Sequence, residues 1–171
     1  PQRCKKGGED VAYQGRKKAK TSNILPLTDA NGFILATSEV IAGNHSDNFE
    51  LVQRLKGLFA QLDRLDLDYS QAFFNGDAAF DTKAARKFLW NRGVYPNIAE
   101  NKRNRKRVKR GRKRYFDKNV YKKRFTSERT FAWIDKFKRL LVRFERKKVY
   151  WMGFHFLAFT LINLRNALAK V

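Results

Sequence analysis

The chain has 171 residues, of which 38 are Lys or Arg and 16 are Asp or Glu, so its formal net charge is +22. An apolar fraction of 43% with 15 Phe, 6 Tyr and 3 Trp excludes a disordered basic tail and predicts a single domain over residues 1–171. A chain that carries this much positive charge commonly binds a polyanion. A lone Cys and two distant His residues exclude a disulfide framework and a zinc site.

The ends of the chain bear on its location. The first twenty residues are charged and contain no apolar stretch, so no secretory signal peptide is predicted and the cytoplasm is the expected location. The segment Val149–Leu164 is apolar over only 16 residues. A bilayer-spanning helix needs about 20, so we expect a buried helix and no membrane partner. Because the chain opens with Pro1 rather than Met, we expect it to be a piece of a longer protein.

The first predicted elements are loops and a hairpin. Residues 1–22 cluster Lys and Arg around glycines, which predicts loop or edge structure. Two strands, 22–29 and 33–41, are predicted to pair through the turn 29–32, whose Asn-Gly pair tolerates the positive φ that a hairpin needs. Pro26 has no N–H to donate, so it predicts a bulge or a sheet edge in the first strand.

Helices and strands then alternate. Apolar residues at steps of three and four predict an amphipathic helix over 47–65. A short apolar strand over 69–75 precedes a second helix over 82–92, for which Asp81 is the expected N-cap. Another strand is predicted over 94–99. This order favours an α/β fold in which helices pack on a sheet.

The composition changes sharply over residues 102–114, where ten of thirteen residues are Lys or Arg. Such a run repels itself and has no apolar face, so it predicts an exposed, mobile loop. Beyond it we expect two long helices, 118–147 and 149–168, the second apolar nearly all round and therefore central. The ten cations of the run, candidates for contacts with nucleic acid, are Lys102, Arg103, Arg105, Lys106, Arg107, Lys109, Arg110, Arg112, Lys113 and Arg114.

Two acidic residues stand out from this basic background. Asp77 follows a predicted strand, at the edge of an α/β sheet where ligands collect. Tyr121, Arg124 and Glu128 are spaced i, i+3, i+7 and share one helix face, so together they could hold a metal ion and grip a phosphate. Asp77 could equally cap a turn, and Glu128 with Arg124 could be a surface ion pair. The residues alone therefore indicate a basic α/β domain that binds nucleic acid.

Five short strings then occur in a fixed order, Gly7–Glu9, Tyr13–Thr21, Ala42–Asp47, Gly76–Asp81 and Glu128–Trp133. Together they resemble the DDE transposases of bacterial insertion sequences, in the IS-four/IS-five-like group, over nearly the whole chain. The resemblance implies a ribonuclease-H-like mixed sheet flanked by helices. It also implies three acidic residues that bind two Mg²⁺ or Mn²⁺ ions for DNA strand cleavage and transfer at transposon ends. DNA and a second copy, in a homodimer, are the implied partners.

The same resemblance assigns residues. Asp77 matches the second catalytic acid and Glu128 the third, which makes both implied metal ligands, while Tyr121 and Arg124 match a conserved Tyr and Arg and would position phosphate. The family's first catalytic Asp lies on a central strand upstream of the Gly-Gly-Glu string, and residues 1–6 contain no carboxylate. The chain is therefore expected to lack both that acid and its strand, and to be an incomplete, inactive copy.

Two other functions remain open at this stage. A non-catalytic module that binds DNA or RNA would need Asp77 and Glu128 only as structural residues. A nuclease on the same fold would cleave DNA without joining it. Because a shared metal requires both carboxylates in one cleft, the positions of these two residues separate the enzymes from the module.

Overall fold

The computed structural model describes residues 2–5, 7–101 and 114–169. Within these ranges the strands are β1 (Gln2–Cys4), β2 (Ala12–Gln14), β3 (Ala19–Asn23), β4 (Pro26–Thr28), β5 (Ile34–Thr37), β6 (Ile41–Ala42), β7 (Phe73–Gly76), β8 (Tyr95–Ile98) and β9 (Val142–Arg143). The helices are α1 (Leu51–Arg64), α2 (Lys83–Asn91), α3 (Lys118–Lys122), α4 (Phe125–Asp135), α5 (Lys138–Leu141) and α6 (Lys148–Leu168). The expected mixed α/β class is confirmed.

The strands form three separate sheets. One has the order β2-β3-β1-β9, with β6 also paired to β3, while β4 pairs with β5 and β7 pairs with β8. In the first sheet β1 runs antiparallel to β3, with Gln2 opposite Ser22, and parallel to β9. The β7–β8 pair is also parallel. The prediction of loop or edge structure over 1–22 is confirmed for the loop 7–11 and the edge strand β2 and is wrong for β1 and β3, which lie inside the sheet.

The predicted hairpin is confirmed, with one change. Strands β4 and β5 pair antiparallel, and the Asp29 carboxylate closes the turn by accepting hydrogen bonds from the backbone N–H groups of Asn31 and Phe33, both at 2.8 Å. The predicted strand 22–29 is broken, because β3 and β4 belong to different sheets. Pro26 opens β4, whose register shifts after Leu27, so the expected irregularity is present.

Helices α1 and α2 pack with β5 and β8 around one core, in which Leu55, Leu58, Leu89 and Ile98 are at most 1% exposed. The periodicity of the sequence therefore located both helices within a few residues. The predicted N-cap of α2 is wrong, because the Thr82 hydroxyl accepts the N–H of Ala85 at 3.1 Å.

The C-terminal helices differ most from expectation. The predicted helix 118–147 is divided into α3, α4 and α5, and its end becomes β9, because residues 142–143 pair with β1. The prediction that α6 is central is also wrong. Its inner face is buried, whereas the opposite face is 53–65% exposed at Val149, Tyr150, Phe156, Leu157, Leu161, Leu164 and Leu168. Among the described residues, no helix combines the length and apolarity that a bilayer crossing requires.

Candidate active site

A cavity of about 640 Å³ lies among the described residues. Residues 25–28, in and just before β4, line one part of it. Residues 73–77, in and just after β7, and the first turn of α4 line other parts. Leu58 and Leu62 of α1 contribute buried apolar surface. The lining therefore combines an apolar base with polar groups contributed by a strand end and a helix start.

Asp77 lines this cavity directly after β7 ends. Its Oδ1 accepts the backbone N–H of Ala79 at 2.9 Å and so caps a short 3-10 helix, Ala78–Phe80. Gly76 permits the tight path before it, since a Cβ there would lie 3.2 Å from the Phe80 Cβ and 3.3 Å from the Ile98 Cγ1. One oxygen of Asp77 thus serves the structural role that the sequence left open, and the other has no hydrogen-bond partner within the described part of the chain.

Glu128 lines the same cavity from α4. Its Oε1 accepts a hydrogen bond from Nη2 of Arg124 at 2.8 Å, and the Arg124 guanidinium lies 5.4 Å from the ring centre of Tyr121. The predicted trio is therefore contiguous, although a turn separates α3 from α4. Because the Arg124 and Glu128 side chains are 35% and 45% exposed, their ion pair adds at most about 1 kcal/mol of stability, and its larger effect is to orient Glu128.

Two asparagines, which the sequence analysis missed, join β7 and β8 to α3. Asn97 is fully buried and donates from Nδ2 to Oδ1 of Asn75 at 2.7 Å and to the Asp117 carbonyl at 3.0 Å. Asn75 in turn donates to the Val120 carbonyl at 3.3 Å. The residues just before Tyr121 are thereby attached to the strand that carries Asp77. The signal for this contact in the sequence was a polar Asn within each of the two predicted strands, 69–75 and 94–99.

Helix α4 is attached to the β4–β5 hairpin on either side of Glu128. The hydroxyls of Ser127 and Thr28 lie 2.9 Å apart, and the Thr130 hydroxyl donates to the Gly32 carbonyl at 3.2 Å. Thr130 lies in the string Glu128–Trp133 and Ser127 directly precedes it, yet their role depends on tertiary packing that the spacing does not show. These contacts hold the backbone of α4 beside the cavity.

Asp81, four residues after Asp77, has a different environment. Its carboxylate is 6% exposed, receives a hydrogen bond from Nε of Arg86 at 2.9 Å and pairs with Arg114. Burial raises its pKa, but the Asn101 N–H and the two guanidinium groups outweigh burial and hold the pKa of Asp81 below its ordinary value. Asp81 is therefore a structural anion.

Arg114 is consequently not the fully exposed loop cation that the sequence predicted, because it is half-buried against Asp81. The other nine cations of the basic run lie outside the described residues, namely Lys102, Arg103, Arg105, Lys106, Arg107, Lys109, Arg110, Arg112 and Lys113.

Comparison with known families supplies the decisive observation. The family model described as DDE superfamily endonuclease matches residues 1–163. The chain belongs to this family. No curated protein and no solved structure matches it. Membership of the DDE endonucleases implies a DNA substrate and nuclease-type chemistry, and nucleases of this superfamily typically use divalent metal ions.

The carboxylates of this DDE endonuclease fit a divalent cation in part. Across residues 2–5, 7–101 and 114–169, no three His, Cys, Asp or Glu side chains cluster closely enough to hold a metal. Asp29 also lines the cavity, but its carboxylate is used by the hairpin turn. Asp77 and Glu128 each retain one oxygen without a protein partner among the described residues. Such hard donors suit Mg²⁺ or Mn²⁺ as two members of a larger ligand set.

Proposed function

We propose that this chain is the catalytic part of a DDE transposase of the bacterial insertion-sequence type, in the IS-four/IS-five-like group, and that it is incomplete. One observation carries the proposal: Asp77 and Glu128, the counterparts of the second and third acids, line the same cavity although they come from distant parts of the chain. Asp29 and Asp68 also line this cavity, but neither is a counterpart of a catalytic acid, and a module that only binds nucleic acid does not require Asp77 and Glu128 there.

In this proposal Asp77 and Glu128 hold two Mg²⁺ or Mn²⁺ ions. When bound, such ions activate the attacking oxygen and neutralise charge on the leaving oxygen of a phosphodiester. Arg124 holds the Glu128 carboxylate in its orientation through the 2.8 Å hydrogen bond. Lys123, which also lines the cavity, provides a positive charge for the DNA phosphate. Tyr121 supports the guanidinium of Arg124 from its ring face.

The incompleteness follows from the missing carboxylate. A third acid is needed for the full ligand set, and residues 1–6 contain none. We propose that the first acid and its strand lie outside these 171 residues, so the chain as it stands binds metal weakly and does not cleave DNA. The basic run 102–114 adds affinity for DNA that is independent of sequence and sensitive to salt.

A homodimer is the proposed functional complex, as the resemblance implies. The exposed apolar face of α6 supports it, because an apolar surface of several large side chains is unfavourable in water. Light scattering over a range of protein concentrations tests this.

The decisive experiment uses a protein extended upstream until it regains the first Asp, assayed with Mg²⁺ and labelled insertion-sequence ends. We expect cleavage followed by joining to target DNA, and loss of both in Asp77→Asn and Glu128→Gln. Asp135→Asn is the matched control, because Asp135 lies exposed on the same helix as Glu128 and does not line the cavity.

The outcomes separate the three candidate functions. Cleavage without joining would identify a nuclease on this fold. DNA binding without metal-dependent cleavage, unchanged by Asp77→Asn, would identify a binding module and refute the proposal.

A further inference from the structure

A group of aromatic rings lies at the start of β7 and β8. Phe73 and Tyr95 are opposite each other in the parallel register, and their stacked ring centres lie 5.2 Å apart. The Tyr115 ring stacks on Phe73 at 6.1 Å, and the Trp90 ring meets Tyr95 edge-on at 5.3 Å. These four rings form one contiguous patch, which we call the aromatic surface.

The aromatic surface is in contact with solvent. Phe73, Trp90 and Tyr115 are 39%, 49% and 51% exposed. By contrast, the Phe59 and Phe88 rings, which also meet edge-on, pack in the core around α1. A contiguous patch of large apolar side chains on a protein surface commonly marks an interaction site. The aromatic surface is therefore a candidate for binding a partner rather than a part of the core.

The Asp81 carboxylate attaches the basic run beside this surface. The Asn101 N–H donates to Oδ2 of Asp81 at 3.0 Å, and the Arg114 guanidinium pairs with Oδ1. Both ends of the run are therefore held at one carboxylate, and Tyr115 directly follows Arg114 in the chain. The nine Lys and Arg residues between these ends are thereby attached to the molecule next to the aromatic surface.

A ligand that matches this region offers flat apolar faces together with negative charge. Aromatic rings combined with positive charge are the usual means of binding single-stranded nucleic acid, because bases stack on the rings while cations pair with phosphates. In a duplex the faces of the bases are covered by their neighbours, so only unpaired bases can stack in this way. An apolar protein surface would match the rings but not the net charge of +22.

Strand β7 connects the aromatic surface to the cavity. Phe73 lines the cavity together with Asp77 and Glu128. Phe73 and Asp77 are four residues apart, which corresponds to ~13 Å at the rise of an extended strand. A stacked DNA strand covers that distance in about four nucleotides. One DNA strand can therefore contact the aromatic surface and the cavity at the same time.

We propose that the aromatic surface of Phe73, Trp90, Tyr95 and Tyr115 is a stacking platform for unpaired bases of single-stranded DNA. It holds these bases a few nucleotides from the phosphodiester that lies at Asp77 and Glu128 in the proposed function. The inference rests on that function for the choice of DNA and for the direction in which the strand leads. The platform itself follows from the exposed rings and the charge attached beside them.

Binding of oligonucleotides to the 171-residue chain without metal tests the platform. The probes are a labelled oligothymidylate of about twelve nucleotides and an abasic DNA strand with the same number of phosphates, compared by fluorescence anisotropy at one salt concentration. We expect Tyr115→Ala to bind oligothymidylate at least ~5-fold more weakly and the abasic strand equally well, because the variant loses a ring and no charge. Tyr115→Phe should retain the affinity. Tyr13→Ala is the matched control, at an exposed tyrosine on β2, and should change neither affinity.

Equal affinity of the unmodified chain for the two probes would overturn the proposal, because charge alone would then explain the binding. Equal weakening of oligothymidylate and of a duplex of the same length in Tyr115→Ala would also overturn it, by assigning the rings to paired DNA. If Tyr115→Ala does not fold, Trp90→Ala replaces it, since Trp90 is exposed near the end of α2, and unchanged binding in that variant refutes the platform. Neither metal nor cleavage enters these measurements, so failure of the platform and failure of the catalytic proposal are distinguishable.

Discussion

Two regions of this molecule use charged and polar residues in opposite ways. Around the cavity, the Arg124 and Glu128 side chains are 35% and 45% exposed. Beneath α6, Arg143 is fully buried and donates to the Ser22 hydroxyl at 2.7 Å and to the Glu145 and Arg146 carbonyls at 2.8 and 3.2 Å. The Arg143 guanidinium also lies 4.8 Å from the ring centre of Trp151.

The difference separates residues that stabilise the fold from residues that are available to a ligand. A buried cation whose Nε, Nη1 and Nη2 each donate to a fixed acceptor is costly to disturb and is not exposed to a ligand in solvent. A half-exposed carboxylate with one free oxygen contributes little stability and can bind a cation. The same contrast distinguishes Asp81 from Asp77, although they are four residues apart.

The largest effect is expected from Arg143→Met. The substitution removes the donors to the Ser22 hydroxyl and the Glu145 carbonyl, while the Arg146 carbonyl keeps the Glu9 N–H at 2.9 Å, so we expect a loss of about 4 kcal/mol in the free energy of unfolding. Urea denaturation measures it. Arg129→Met is the control, because Arg129 is exposed on α4 and its substitution should change stability by less than about 0.5 kcal/mol. A loss below about 1 kcal/mol for Arg143→Met would remove the contrast between the two regions.

The free energy of unfolding is also expected to depend on pH, because the His155 side chain is buried like that of Arg143. Burial, opposed in part by the hydrogen bond to the Trp151 carbonyl and reinforced by the charge of Arg143, lowers the pKa of His155 from 6.5 to about 4. The unfolded chain therefore binds the proton more readily. The stability associated with neutral His155 is fully present above pH 6.5. It is lost as the pH falls towards 4, and the total loss is on the order of 3 kcal/mol.

Unfolding measured between pH 7 and pH 4.5 checks this. His155→Leu should flatten the pH dependence in that window, whereas His45→Leu, at a half-buried histidine stacked on Phe49, should retain it. An unchanged slope in His155→Leu would assign the effect to other groups.

Local features of this fold could be predicted from the sequence. The hairpin turn, α1 and α2 follow from short-range rules: the Asn-Gly pair, apolar residues at helical spacing and a polar N-cap, even though the cap is Thr82 rather than Asp81. The position of Asp77 after a strand was predictable for the same reason. Each of these features depends on residues only a few positions apart.

Features that depend on distant pairing could not be predicted. The helical pattern over 118–147 continues into residues 142–143, but pairing with β1 at the other end of the chain gives those residues an extended conformation. Thr21 and Ser22 are fully buried although their polarity suggested a surface loop. The contact between Asn75 and Asn97 requires the parallel register of β7 and β8, which no local pattern specifies.

That asparagine contact yields a smaller prediction. Asn97→Ala removes the partners of the Asn75 Oδ1 and of the Asp117 N–H, while the Asp117 carbonyl keeps the Tyr121 N–H at 3.0 Å, so we expect a loss of about 2 kcal/mol in unfolding free energy. Amide exchange in α3 should become faster, because its attachment to β8 is lost. Asn119→Ala, at an exposed position in α3, is the control. Equal stability of the two variants would show that the network does not hold α3 in place.

The smallest change in stability is expected at the proposed metal ligand. Glu128→Gln keeps a side-chain oxygen for Arg124 and alters a pair that is largely in water, so unfolding free energy should change by less than about 0.5 kcal/mol. Added Mn²⁺ should broaden the amide signals of residues 76–79 and 127–129 in the unmodified chain and broaden them much less in this variant. Asp135→Asn should broaden like the unmodified chain. Equal broadening in Glu128→Gln, or a stability loss above about 1 kcal/mol, would place Glu128 with Asp81 among the structural carboxylates.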